Sequence, residues 1–173
     1  HVLESLDLLR LRYDYVVIDL AHTFDEITLA ALDQADEILL VLTQEIMTVR
    51  NALRVLSIFD RLDYPTHKIH AVVNRWTKSG LDLGRKQLER LFSNRSLNLI
   101  PNDYRAVVNS VNLGQPLVEA RPTSAIASEL KRIAALVAGD FEAKGEAKGS
   151  RHTRSHAEGA AAGPDHSSGE QVI

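Results

Sequence analysis

Two unbroken runs of apolar side chains, Tyr15-Val16-Val17-Ile18 and Ile38-Leu39-Leu40-Val41-Leu42, constrain this chain more than any other feature. An alternating pattern would describe a strand with one wet face. A continuous run describes a strand covered on both faces, as in the parallel sheets of α/β folds. Two further runs, Ile69 to Val73 and Leu97 to Ile100, follow at wider spacing. The intervals between runs have helical period. Leu29, Leu32 and Ala35 mark a short helix after Asp25-Glu26; Val49, Leu53, Leu56 and Phe59 mark a longer one; Leu88, Leu91 and Phe92 mark a third. Strands alternating with helices imply right-handed crossovers between parallel strands. The expected class is therefore α/β, with a doubly wound, mostly parallel sheet. Two more helices are expected after it, one from near Asp103 to just before Gly114 and Pro116. The other runs from Pro122-Thr123-Ser124, through Ile126, Leu130, Ile133 and Leu136, to Gly139.

The composition shifts at Asp140. Residues 140–173 hold five of the nine glycines and three of the seven histidines, and their only large apolar side chains are Phe141, Val172 and Ile173. Such a stretch buries too little surface to offset the entropy of ordering it. The expected division is a folded part over 1–139 and a disordered tail over 140–173. His152, His156 and His166 are irregularly spaced among Gly, Ala and Ser, which suits a solvated tail better than a metal site.

Several function classes lose support at this level. The chain has no cysteine, which excludes disulfide scaffolds and thiolate metal sites. A net charge of −3 gives no electrostatic reason to expect nucleic acid. Arg50, Arg54 and Arg61 on the long helix are interspersed with Asp60 and Asp63, so a solvated face is the better reading there. No apolar run is long enough to cross a bilayer, and the start His1-Val2-Leu3-Glu4 has no basic leader region. Because that start lacks an initiator methionine, a fragment of a longer protein is expected.

Asp19 is the first candidate for chemistry. An aspartate closing a buried apolar strand needs compensation, and at the carboxyl edge of a parallel sheet a magnesium ion and its waters can provide it. Its alternative is to cap the following turn or accept loop amides, and the pattern alone leaves the two even. Asn74 ends the third apolar run; by itself it reads as satisfying backbone at a strand end. Asp103 reads equally well as a helix N-cap.

Five segments together resemble the MinD/ParA group of P-loop ATPases, and within it the CpaE/TadZ proteins of Flp pilus assembly. They are Tyr-Asp-Tyr-Val-Val-Ile-Asp-Leu at 13–20, Leu-Asp-Gln-Ala-Asp-Glu-Ile-Leu-Leu-Val at 32–41 and Val-Asn-Arg-Trp at 73–76. Ile-Pro-Asn-Asp-Tyr-Arg-Ala-Val at 100–107 and Asn-Leu-Gly-Gln-Pro-Leu-Val-Glu at 112–119 complete the set. The resemblance implies ATP and Mg2+ as cofactors, with Asp19 as catalytic and metal-binding carboxylate. It implies that Asn74 reads the adenine edge, with Pro101, Asn102 and Asp103 beside the base. It further implies a homodimer formed around nucleotide, pilus secretion proteins as partners, and a cytoplasmic place, peripheral at the inner membrane or a cell pole. The turn Ala21-His22-Thr23-Phe24-Asp25 departs from the proline-rich turn commoner in that group, and His22 has no assigned duty.

A phosphate cradle needs closely spaced glycines and a lysine. Gly80, Gly84, Gly114 and Gly139, the glycines before the tail, form none. Two readings stay open: an ATPase whose loop lies in upstream sequence, so that the sheet is incomplete at its N-terminal side, or a non-catalytic localisation scaffold with a degenerate ATPase fold.

Overall fold

The computed structural model describes residues 2–78 and 83–139. The chain divides into two units, His1–Ile133 and Ala134–Ile173. Of the second, only the helical residues 134–139 are described, so the expected tail lies outside the described residues.

The first unit begins with α1 (Val2–Arg12) and α2 (Glu26–Gln34). Then come β1 (Ile38–Thr43), α3 (Ile46–Arg61), β2 (Ile69–Trp76), α4 (Arg85–Leu91) and β3 (Ser96–Pro101). It closes with α5 (Tyr104–Leu113), α6 (Leu117–Ala120) and α7, helical from 125. Its three strands are parallel in the order β1-β2-β3. Ile38 pairs with Ile69 and Leu42 with Val73, while Ala71 pairs with Leu97 and Val73 with Leu99. The expected α/β class is what forms.

The helices start where local chemistry supplies a partner for orphan amides. Asp25 caps α2 by accepting the Thr28 backbone N–H at 2.8 Å, and Thr23 donates to the same carboxylate at 3.0 Å. The Thr28 amide first, then the Thr28 and Thr23 hydroxyls, hold the Asp25 carboxyl below the usual carboxylate range. Ser124 Oγ accepts the Ala127 amide at 3.2 Å at the start of α7. At the other end of α5, Gly114 adopts φ +62°, the left-handed cap that glycine accepts without strain.

One sheet face carries the main core. Ile38, Leu42, Ile69, Ala71 and Val73 pack there with Val49, Ala52, Leu56 and Phe59 of α3 and with Leu88 and Phe92. The buried stripe of α3 uses Ala52 where Leu53 was expected; Leu53 sits half-buried beside it. Its spacing, 49-52-56-59, follows the helical period more closely than the larger side chain does. Phe59 receives Phe24 and Tyr64 edge-on, with ring centroids at 6.2 and 5.4 Å.

The opposite face is covered only in part. Val72 and Ile100 pack with Ile126 and Ile133 of α7, and Leu117 joins them. On β1 the same face shows Leu39 43 % and Val41 59 % exposed. The outer edge of β1 pairs with no strand among the described residues. The expectation that Ile38–Leu42 is covered on both faces is thus met on one face only.

The expected first strand does not form. Tyr15 to Ile18 belongs to no helix or strand, and Val17 is 94 % exposed. Backbone amides and carbonyls of a strand need a laddered neighbour, and the described residues supply none to this segment. Its apolar composition encodes a burial that no element among the described residues provides. Only Leu20, just past it, reaches the main core.

The cap of α2 carries a pH signature. Because the folded pKa of Asp25 is depressed, its stabilisation is complete above the ordinary carboxylate pKa and is lost as pH falls through the lowered value. Asp25→Asn keeps a capping oxygen without the charge. The gap in thermal midpoint between the native chain and this variant should be widest near neutral pH and close below the carboxylate range.

Candidate functional site

The carboxyl ends of β1, β2 and β3 converge on one edge of the sheet, where open α/β folds place their ligands. The end of β2 is irregular. Its register against β3 shifts between Val73 and Trp76, so that Trp76 pairs with Pro101. Arg75 takes φ +55°, a left-handed conformation that is unfavourable for a side chain of its size. Asn74 accepts the Arg75 amide on its own Oδ1 at 2.9 Å. Its side chain is exposed, and its Nδ2 donates to no described residue.

Trp76 ties this turn to the next loop. Its carbonyl accepts the Asn102 amide at 2.9 Å. Asn74 and the segment Pro101-Asn102-Asp103 are therefore brought to neighbouring positions on one edge. Asp103 is committed locally: it caps α5, with Oδ1 accepting the Ala106 amide at 3.0 Å. Of the two readings left open for Asp103, the N-cap is the one the geometry displays.

Asp19 stands apart from this arrangement. It is exposed and follows the segment that forms no strand, so no strand carries it to the sheet edge. No group of three or more His, Cys, Asp or Glu residues able to hold a metal occurs among the described residues. His22, in the turn that follows, is likewise exposed; its neighbour Phe24 packs on Phe59. Among the described residues, Gly84 opens α4 and Gly114 closes α5 and neither forms a phosphate cradle; Gly80 lies outside the described residues. The donor set fits a base or another planar hydrogen-bonding group at Asn74. It does not fit a triphosphate or its magnesium.

A cavity of about 310 Å³ opens nearby, lined by Trp76, Arg85, Pro101 and Arg132 among others. Its two guanidinium groups are already paired, Arg85 with Glu89 at 2.7 Å and Arg132 with Glu129 at 2.8 Å. Their charge is thus largely answered within the chain. Arg50, Arg54 and Arg61 of α3 are exposed, as a solvated face requires.

Sequence reasoning passed over Gln44. It directly follows β1, is only 9 % exposed, and uses both halves of its amide. Nε2 donates to the Leu83 carbonyl at 2.7 Å, while Oε1 accepts the Thr77 amide at 3.1 Å. The available signal was a polar residue directly following an apolar strand, which does not reveal partners 33 and 39 positions away.

Solved structures share this fold. A ParA family ATPase from Chlorobium tepidum superposes with a TM-score of 0.64 over 80 % of this chain and 55 % of its own, at 21 % identity. MinD from Pyrococcus horikoshii, in complex with Mg-ADP, superposes with a TM-score of 0.60 over 81 % of this chain and 53 % of its own, at 20 % identity. The fold is that of the MinD/ParA ATPases. In sequence, an uncharacterized ATP-binding protein of Methanocaldococcus jannaschii is 31 % identical over 132 residues, covering 76 % of this chain and 49 % of the relative. The chain spans about half the length of the curated relatives it matches. No protein-family model matches it. The MinD/ParA-like fold expected from the five segments is present, and the finer likeness to CpaE/TadZ has no counterpart among these relatives.

Proposed function

We propose that this chain is the base-binding part of a MinD/ParA-type ATPase whose phosphate-binding loop lies in upstream sequence of a longer protein. The observation that carries the proposal is the tie between Trp76 and Asn102, which sets Asn74 beside Pro101-Asn102-Asp103 at the carboxyl edge of a parallel sheet. An exposed amide offers one donor and one acceptor, and the adenine edge presents the complementary pair at N7 and N6. Asn74 would bind the base and orient it; Pro101 and Asn102 would flank it. The ATP-binding relative and the Mg-ADP complex of the similar MinD support this choice of ligand.

In the longer protein Asp19 would be the magnesium ligand and would be catalytic through that ion. A strand entering at the open edge of β1 would ladder there and offer its other edge to Tyr15–Ile18. That segment would then become a strand and deliver Asp19 to the ligand edge. When bound, ATP and magnesium supply the phosphoryl chemistry, which no described residue here can support alone. Dimerisation around nucleotide belongs to the same proposal.

The decisive comparison is between this chain and the longer protein, using ATP with magnesium. This chain alone should show no measurable ATP binding. The longer protein should bind, and Asn74→Ala should weaken it by about ten-fold, as expected for one or two lost hydrogen bonds. Tight ATP binding by the longer protein that is indifferent to Asn74 would contradict the assignment. The finer reading, a role in Flp pilus assembly alongside secretion proteins, rests on the segments at 100–107 and 112–119. Its test is loss of those pili when the gene is deleted; unchanged pili would reject it.

A further inference from the structure

We infer that Gln44 is a positioning residue for the base site: it holds the backbone that follows Asn74 and so fixes the direction in which the Asn74 amide faces. This inference rests on the nucleotide reading above and deepens it.

The physical argument begins with Arg75. A left-handed non-glycine residue is strained and persists only where its surroundings over-determine it; Arg75 is one. Three hydrogen bonds do so here. Asn74 Oδ1 accepts the Arg75 amide at 2.9 Å. The Trp76 carbonyl accepts the Asn102 amide at 2.9 Å. The Thr77 amide donates to Gln44 Oε1 at 3.1 Å, with the Thr77 hydroxyl directed at the same oxygen at 3.4 Å. Gln44 is therefore the only side chain outside this turn among these three ties. Its own position is fixed from the other end, since Nε2 donates to the Leu83 carbonyl at 2.7 Å.

An amide suits this place for a specific reason. The partner on one side is a donor, the Thr77 N–H, and on the other an acceptor, the Leu83 carbonyl. Glutamate can satisfy the first and opposes the second; methionine fills the space and satisfies neither. Release of Thr77 leaves Arg75 free to relax toward an ordinary conformation, and the Asn74 amide then loses its fixed orientation.

Orientation decides base choice. With Nδ2 toward N7 and Oδ1 toward the exocyclic position, Asn74 accepts the N6 amino group of adenine. Guanine presents the O6 acceptor there and leaves two acceptors facing one another. A residue that locks the amide therefore controls discrimination between adenine and guanine more than affinity for phosphate.

The experiment measures binding of ribose-labelled fluorescent ATP and GTP, with magnesium, to the longer protein. The native protein should prefer ATP. Gln44→Met should erode that preference about ten-fold through weaker ATP binding while GTP affinity stays within about two-fold, because an amide without a fixed direction loses its paired bonds to adenine and guanine had no such pair to lose. Gln44→Glu, which keeps the Thr77 acceptor, should restore part of the preference. Amide exchange at Thr77 should be accelerated in Gln44→Met and slowed again in Gln44→Glu. An undiminished ATP preference in Gln44→Met, with Thr77 exchanging freely, overturns the role of Gln44 and leaves the nucleotide site standing. Absence of any nucleotide binding by the native protein overturns both. Should Gln44→Met not fold, Gln44→Glu decides: native selectivity together with rapid Thr77 exchange rejects the proposal.

Discussion

The ladders on the two sides of β2 carry the rest of the structure. β2 is paired along both edges, and Ile69, Ala71 and Val73 are fully buried on its core face. Its other face is closed by α7 through Val72. Everything placed at the ligand edge hangs from this strand: Asn74 to Trp76 form its irregular end, Asn102 is tied to that end, and Gln44 bonds Thr77 just past it. Stability and site geometry therefore share one origin. A change that loosens β2 would disturb both together, whereas a change at Gln44 acts on the turn and leaves the ladder intact.

Against that firm centre, β1 is half-finished. Its inner edge is paired and its core face buried, yet its outer edge has no neighbour among the described residues and Leu39 and Val41 face outward. The run Tyr15–Ile18 shows the matching deficit, a strand composition without a strand. The upstream strand proposed above would account for both. Parallel strands that read as continuous apolar runs are stable only when laddered and covered, and in the proposed longer protein one partner would serve both.

Much of this was legible in the sequence because it was local. Runs of apolar residues located β1, β2 and β3, and helical spacing located α3 and α4. Asp25, Ser124 and Gly114 marked helix ends through chemistry confined to four or five residues. Two kinds of feature were not legible. Tyr15–Ile18 has the composition of a strand, but composition cannot report whether a neighbour is present to pair with it. Gln44 makes its bonds across 33 and 39 positions, so no window of sequence contains both partners. Asp103 lay between these cases. Its capping role is local and visible, while any contact with a base depends on the fold around it.

The central proposal, that one upstream strand would both close the open edge of β1 and make Tyr15–Ile18 a strand, is most directly tested by amide hydrogen exchange. Exchange at residues 15–19 and along β1 is compared between this chain and the longer protein. The account predicts rapid exchange at 15–19 in this chain and strong protection there, with added protection along β1, in the longer protein. Equal and rapid exchange at 15–19 in both would contradict it, because the apolar run would then have no partner strand to wait for.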